Sequence, residues 1–495
     1  MKPLRDVEKA RLDSYEDAQK NSTHRSSLLV PTIPNTEVSI SFLNHFLIKR
    51  NNPNVGLRLT AVDELGARIS TRLFSINEPR VYTFHLQRDF CAQATSYLVE
   101  FFSSSNMVIP FPAVMVNHRG PQSYSTVHSF NRVLNDIFED DEINTIQVEE
   151  GAIDIAQDPL ASTFFTVYAG QHRLQDEIGL QFKSNSLSLS KTLAVDIPRL
   201  THQIFTLGSV FPEAEHQRGV LLIRQPRQDM FYGRLLVGQT LPSGDLSANH
   251  SYYDGSQVAG EYWDDAHPSH RTYPIVDGLT TSIRVYPIQS ASTLGFSVHI
   301  KDASGSTLAT SQEFELLSPG NDWLDIDINQ LIASLEVVPH EARAFTLIAR
   351  PKTGNTPMRI NHQIVFSGSG LESSINVSMQ NFNVLHSSAR PRTTWGQLIH
   401  SKDFDTWLAF ANDGETPECS TVDVKFFSEN GFEKTTQVSI NQGTSTQLLL
   451  SEILGHADGD DQFIWFEVES PNFYLSEWSV SKHKVSGHCL GEHSF

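Results

Sequence analysis

Phe463-Ile464-Trp465-Phe466-Glu467-Val468 decides how this chain is read, because weaker copies of it occur three more times. Tyr97-Leu98-Val99-Glu100-Phe101-Phe102, Val220-Leu221-Leu222-Ile223-Arg224-Gln225 and Phe345-Thr346-Leu347-Ile348-Ala349-Arg350 can be laid over it. Each is an apolar run of strand length. Each leads through a short polar turn to Met107, Met230, Met358 or Phe473. Further on come His128-Ser129-Phe130, His250-Ser251-Tyr252, Gln380-Asn381-Phe382 and His493-Ser494-Phe495. Repeats of this spacing set the architecture before any single motif does.

Upstream features recur in step. An alternating strand precedes each run: Val55, Leu57, Leu59 and Ala61; Ile178, Leu180 and Phe182; Leu294, Phe296, Val298 and Ile300; Val422, Val424 and Phe426. Period-two alternation marks a strand with one buried face. From Leu57, Leu180, Phe296 and Val422 to the shared Met or Phe the separations are 50, 50, 62 and 51 residues, so the third copy carries an insertion. Asp63-Glu64-Leu65-Gly66, Asp302-Ala303-Ser304-Gly305 and Ser428-Glu429-Asn430-Gly431 then supply hairpin turns, with Gly at a position that favours positive φ. The second copy has Ser184-Asn185-Ser186 and no Gly.

The expected fold is all-β: a tandem array of four diverged antiparallel β-sandwich modules, immunoglobulin-like or jelly-roll-like, behind a short N-terminal helical or disordered extension. No Cys-Trp-Cys spacing selects a true immunoglobulin domain. The expected divisions are an extension over 1–34, a module over 35–132, an acidic connector over 133–158 and a module over 159–256. A connector over 257–278, a module over 279–384, a linker over 385–393 and a module over 394–495 complete the chain. In the last module strands should centre near Leu398, Leu408, Val424, Gln437, Leu448, Trp465 and Trp478, with a closing strand through His493.

Composition agrees. A chain of 495 residues holds three or four domains, and 39% hydrophobic content with 30 Phe fills several cores. The net charge of −20, from 37 Lys+Arg against 57 Asp+Glu, repels phosphate backbones and anionic lipid, which disfavours nucleic-acid and membrane-surface partners. No apolar run approaches the ~20 residues of a membrane span. The start, Met1-Lys2-Pro3-Leu4-Arg5-Asp6, has no apolar core of a Sec signal, so the expected location is cytoplasmic or reached by a leaderless route. Three cysteines, Cys91, Cys419 and Cys489, make no disulfide framework.

The His-Ser-aromatic motif is the main candidate site. Along a continuous strand His128 and Phe130 would share a face, as would His250 and Tyr252, Gln380 and Phe382, and His493 and Phe495. An imidazole beside an aromatic platform suits a sugar ring or a partner's side chain. The alternative is a module-closing strand whose imidazole bonds a neighbouring carbonyl. Gln380 is a poor metal ligand, and one His per module is too few for zinc, so no metal or other cofactor is expected. Asp264, Asp265, His267 and His270 form the densest ligand cluster, but Pro268 breaks any helix that would align them. Ser367-Gly368-Ser369-Gly370 fails the nucleophile-elbow pattern, and His488-Cys489 places base and thiol on opposite faces of a strand.

These residues point to a non-catalytic structural or interaction protein, associating with itself or with a protein or polysaccharide partner. A carbohydrate-active protein with a carboxylate site in an inter-module cleft is the second reading. A metal-dependent hydrolase at 264–270 is the third.

Overall fold

The computed structural model describes residues 24–103, 109, 113–128, 131–135, 149–152, 160–184, 186–215, 217–225, 232–233, 235–253, 268–286, 292–316, 323–357, 360–379, 392–413, 420–470 and 475–495. The chain divides into two compact units, Met1–Gly255 and Ser256–Phe495. Each contains two antiparallel β-sandwiches.

The fourth module shows the plan most plainly. Its strands are Arg392–His400, Phe404–Asn412, Ser420–Ser428, Gly431–Ile440, Ser445–Leu449, Gln462–Ser470, Leu475–His483 and Cys489–His493. Every strand centre expected from sequence falls within one of these. One sheet takes the first, sixth, third and fourth strands in that order, and the other takes the fifth, second, seventh and eighth. All four modules repeat this order. It shares the second–fifth and third–sixth pairs with the immunoglobulin constant arrangement. The first, fourth and seventh strands, however, have exchanged sheets. Only the third–fourth and seventh–eighth connections are hairpins, so the chain crosses between layers at the remaining five steps.

The third strand buries its alternating face, as its sequence requires. Val422, Val424 and Phe426 pack against Ile464, Phe466 and Val468 of the sixth strand and Leu408 and Phe410 of the second. Each such fully buried side chain contributes about 1.5–3 kcal/mol. In the third module the extra length falls between the third and sixth strands. There the fourth strand is split into Thr307–Thr310 and Phe314–Leu316, and a seven-residue helix, Ile328–Ser334, follows the fifth.

The apolar runs need one correction. Laid over one another, they are one residue out of phase between odd and even modules. The inward residues are Tyr97, Val99 and Phe101 in the first module, and Phe345, Leu347 and Ala349 in the third. They are Leu221 and Ile223 in the second, and Ile464, Phe466 and Val468 in the fourth. A one-residue slip exchanges the two faces of a strand. The sixth strand hides its phase because it is central and apolar on its outer face too: Leu98 and Trp465 are both buried.

Strands also occur where the sequence suggested connectors. His24–Pro31 is the first strand of the first module, with Leu28, Leu29 and Val30 buried. Glu149–Ala152 and Ser269–Pro274 are the first strands of the second and third. Each pairs with its own module's sixth strand. The extension before residue 24 lies outside the described residues.

One ion pair stiffens the first module. Arg58 and Glu100 are directly opposite on the third and sixth strands, and both guanidinium–carboxylate contacts are 2.6 Å. Glu100 is 1% exposed. Arg58→Ala strips a buried carboxylate of its partner. Because the Arg58 side chain is 37% exposed, water partly compensates, and a loss of about 2–3 kcal/mol is expected by chemical denaturation. Adding Glu100→Gln to Arg58→Ala should recover part of that loss, which a double-mutant cycle measures.

Candidate binding site at the recurring motif

Within each unit the two sandwiches are held by a built joint. The third–fourth hairpin of the leading module abuts the backbone of its neighbour. A Cβ on Gly66 (φ 79°) would stand 2.5 Å from the Arg199 carbonyl oxygen, and one on Gly305 (φ 86°) would strike the Gln442 carbonyl oxygen. These glycines therefore serve both turn and joint. Further bonds differ between the units. In the N-terminal unit, His202 places Nδ1 3.0 Å from Ser96 Oγ and Nε2 3.0 Å from the Thr32 carbonyl. In the C-terminal unit, Thr444 Oγ1 donates to the Asp302 carbonyl at 2.6 Å, and the Asp413 carboxylate accepts from Thr272 N–H.

The eighth strands meet across each joint. In the N-terminal unit Tyr124–His128 runs alongside Leu246–His250 in parallel sense. Serine hydroxyls bridge them in place of a backbone ladder. Leu246 N–H donates to Ser123 Oγ at 2.8 Å, Ala248 N–H donates to Ser125 Oγ at 3.0 Å, and Ser125 Oγ donates to the Ala248 carbonyl at 2.7 Å. This step of 123 residues is within one residue of the 122 that separate the two copies of the motif. His128 and His250 are consequently brought together, with ring centroids 4.7 Å apart and planes at 84°.

The motif itself is not one continuous strand, which corrects the face assignment made from sequence. It is the crossing between sheets. His250 ends the eighth strand, while Tyr252–Tyr253 pairs with Glu149–Ala152 in the opposite sheet. In the fourth module Phe495 and Trp395 exchange backbone bonds of 3.0 and 3.1 Å, so the chain end likewise joins the first strand. The serine pins the crossing. Ser251 N–H donates to the Leu235 carbonyl at 2.7 Å, and Ser494 N–H to the Glu477 carbonyl at 3.0 Å. The imidazoles behave alike: His250 Nδ1 lies 2.8 Å from the Ser251 carbonyl, and His493 Nδ1 lies 2.6 Å from the Ser494 carbonyl. Phe495 meets Trp465 edge-on at 5.9 Å. Phe130, Gln380 and Phe382 lie outside the described residues, as do Asp264, Asp265 and His267; only the backbone of Tyr252 is described. His270 sits on a strand, its Nε2 3.4 Å from the Asp413 carbonyl.

No protein-family model matches this chain, and no curated protein does. Among solved structures, a tetra-tandem repeat from the extending region of a large adhesion protein is similar at 10% identity, over 94% of this chain and 97% of that one, with a TM-score of 0.09. Tripeptidyl peptidase 2 is similar at 8% identity, over 97% of this chain and 41% of that one, with a TM-score of 0.13. Scores so low establish no common fold, and neither likeness bears on function.

Sequence reasoning missed a set of buried ionisable groups. His118 is fully buried on the seventh strand of the first module, and burial chiefly lowers its pKa to about 3. His362, on the seventh strand of the third, is lowered to about 3 by burial while bonding the Tyr273 hydroxyl and the Ile360 carbonyl. Asp413 is held above the usual carboxylate range, mainly by burial. The recurrence of Asn-His at 117–118 and 361–362 was the available signal. Cys489 is a free, buried thiol whose pKa burial pushes up to about 12, and His488 Nδ1 accepts from Leu371 N–H, so the pair forms no nucleophile dyad.

Proposed function

We propose that this chain is a non-catalytic structural or interaction protein whose working element is the rigid two-sandwich unit. It acts by assembling with further copies, or by binding a glycan or protein partner along the edges where the motifs close each module. The joint carries this reading. Hairpin and buried polar contacts fix two sandwiches together in each unit, and the serine bridge adds to them in the N-terminal unit. In the C-terminal unit Ala409, Trp478, Val480 and Cys489 of the fourth module also enter the core of the third. Such a body presents fixed surfaces.

A carbohydrate-active site would need paired carboxylates in a concave surface. Four clefts lined by described residues carry lysine, histidine, serine and glycine and no carboxylate. Asp413 is buried, and its carboxylate accepts from Thr272 N–H. No helix among the described residues is long and apolar enough to cross a membrane.

Size-exclusion chromatography with light scattering on full-length protein, with and without extracted host surface polysaccharide, tests the proposal. A defined oligomer, or a mass shift with polysaccharide that His128→Ala, His250→Ala or His493→Ala weakens, is expected. A monomer indifferent to both concentration and polysaccharide would overturn it.

A further inference from the structure

We propose that His128 and His250 form a binding site for a divalent transition-metal ion of the zinc, copper or nickel class, stapling the two sandwiches of the N-terminal unit. Counting one histidine per module argues against a metal. That count fails because parallel packing of the eighth strands brings two copies of the motif to one place. The ring centroids are 4.7 Å apart, and the ligand nitrogens lie within 4.8 Å of one another. Zinc–imidazole bonds are about 2.0–2.1 Å, so two nitrogens on one tetrahedral ion stand roughly 3.4 Å apart. A rotation of the partly buried His128 ring closes the difference.

The surroundings orient the ligands. His250 is 2% exposed, and its Nδ1 faces the Ser251 carbonyl at 2.8 Å. A carbonyl in that position accepts a hydrogen bond from Nδ1–H, which fixes the tautomer and leaves the lone pair on Nε2 as the ligand. The serine bridges at Ser123 and Ser125 hold the strands in register, so the histidines are preorganised. Imidazole donors select borderline ions over calcium or magnesium, which take oxygen. With two protein nitrogens, water or a further donor completes the shell, and affinity should be micromolar.

The experiment uses full-length protein without a polyhistidine tag, stripped with chelator. It is titrated with Zn²⁺ by calorimetry and loaded with Cu²⁺ for electron paramagnetic resonance. One saturable ion per chain is expected, with hyperfine structure from at least two imidazole nitrogens. His128→Gln should weaken binding about tenfold or more, since losing a ligand costs at least as much as losing a ligand's hydrogen-bond partner. His250→Gln should do the same, provided its circular dichroism is unchanged; the partly buried His128 is the variant that tests the site should His250→Gln unfold. His456→Gln, in a cleft of the C-terminal unit that His400 also lines, should change nothing. Absence of saturable binding, or binding that survives His128→Gln undiminished, would overturn the site. Metal stoichiometry is read independently of oligomer mass, so this result and the assembly reading stand or fall separately.

Discussion

Trp478→Ala is expected to destabilise the C-terminal unit by about 3–5 kcal/mol, the range for emptying a buried Trp site. Trp478 is 0% exposed, yet it does not fill its own module's interior. It stands on the seventh strand of the fourth module and packs into the third, 5.6 Å from Tyr273, with the Arg271 guanidinium 5.2 Å from its ring. Its removal opens a cavity in the shared core, so both modules of that unit should lose stability together, in one transition. Trp478→Phe should cost far less. The indole N–H has no hydrogen-bond partner among the described residues, so the smaller ring removes a buried, unpaired donor along with some volume. The measurement has a natural probe. All six tryptophans, at 263, 323, 395, 407, 465 and 478, lie in Ser256–Phe495. Tryptophan fluorescence during guanidinium unfolding therefore reports that unit alone. Two separated fluorescence transitions in Trp478→Ala would show that the third and fourth modules do not share a core.

Why the strands were legible and their partners were not follows from the range of each interaction. Alternation in Val422-Asp423-Val424-Lys425-Phe426 is local and announces one buried face. Gly66 and Gly305 are local too, and the hairpins form where they stand. The first strands of the first three modules escaped because they lack a pattern. Glu149-Glu150-Gly151-Ala152 reads as an acidic connector, and only backbone bonding to Val220–Arg224 and Tyr252–Tyr253 makes it a strand. Sheet order depends on crossings between layers, which leave no trace in composition.

The candidate site was legible as a motif and not as a place. His128 and His250 are separated by 122 residues, and nothing near either names the other. What joins them is a pair of serine hydroxyls standing in for a β-ladder, at positions where serine is otherwise unremarked. The same holds for Trp478. Seen along its strand it is one more core residue, and only the joint reveals which core.

Acid should loosen the N-terminal unit in a window set by His118 and His202. Burial lowers the pKa of His118 to about 3, with the nearby His202 adding to the effect, and neither ring nitrogen of His118 has a hydrogen-bond partner among the described residues. Desolvation lowers His202 to about 4, opposed by its bond to the Thr32 carbonyl. In the unfolded chain both titrate near 6.5. A base with a depressed folded-state pKa stabilises the fold fully above pH 6.5. It loses that contribution as pH falls towards the folded value, because the unfolded chain takes up the proton first. Between pH 6.5 and 5 each histidine should cost about 2 kcal/mol. His202 bridges Ser96 and Thr32 to the neighbouring sandwich, so its protonation strains the joint itself. His118→Leu is the sharper variant. It replaces a buried, unbonded polar ring with an apolar side chain of similar size, so it should be neutral or stabilising at pH 7.5 and should lower the acid-unfolding midpoint. His362→Leu in the C-terminal unit should behave oppositely at neutral pH, since it removes the imidazole that bonds the Tyr273 hydroxyl. Far-UV circular dichroism followed from pH 7.5 to 3 separates the cases. An acid midpoint unmoved by His118→Leu would mean that another group governs the loss of the N-terminal unit.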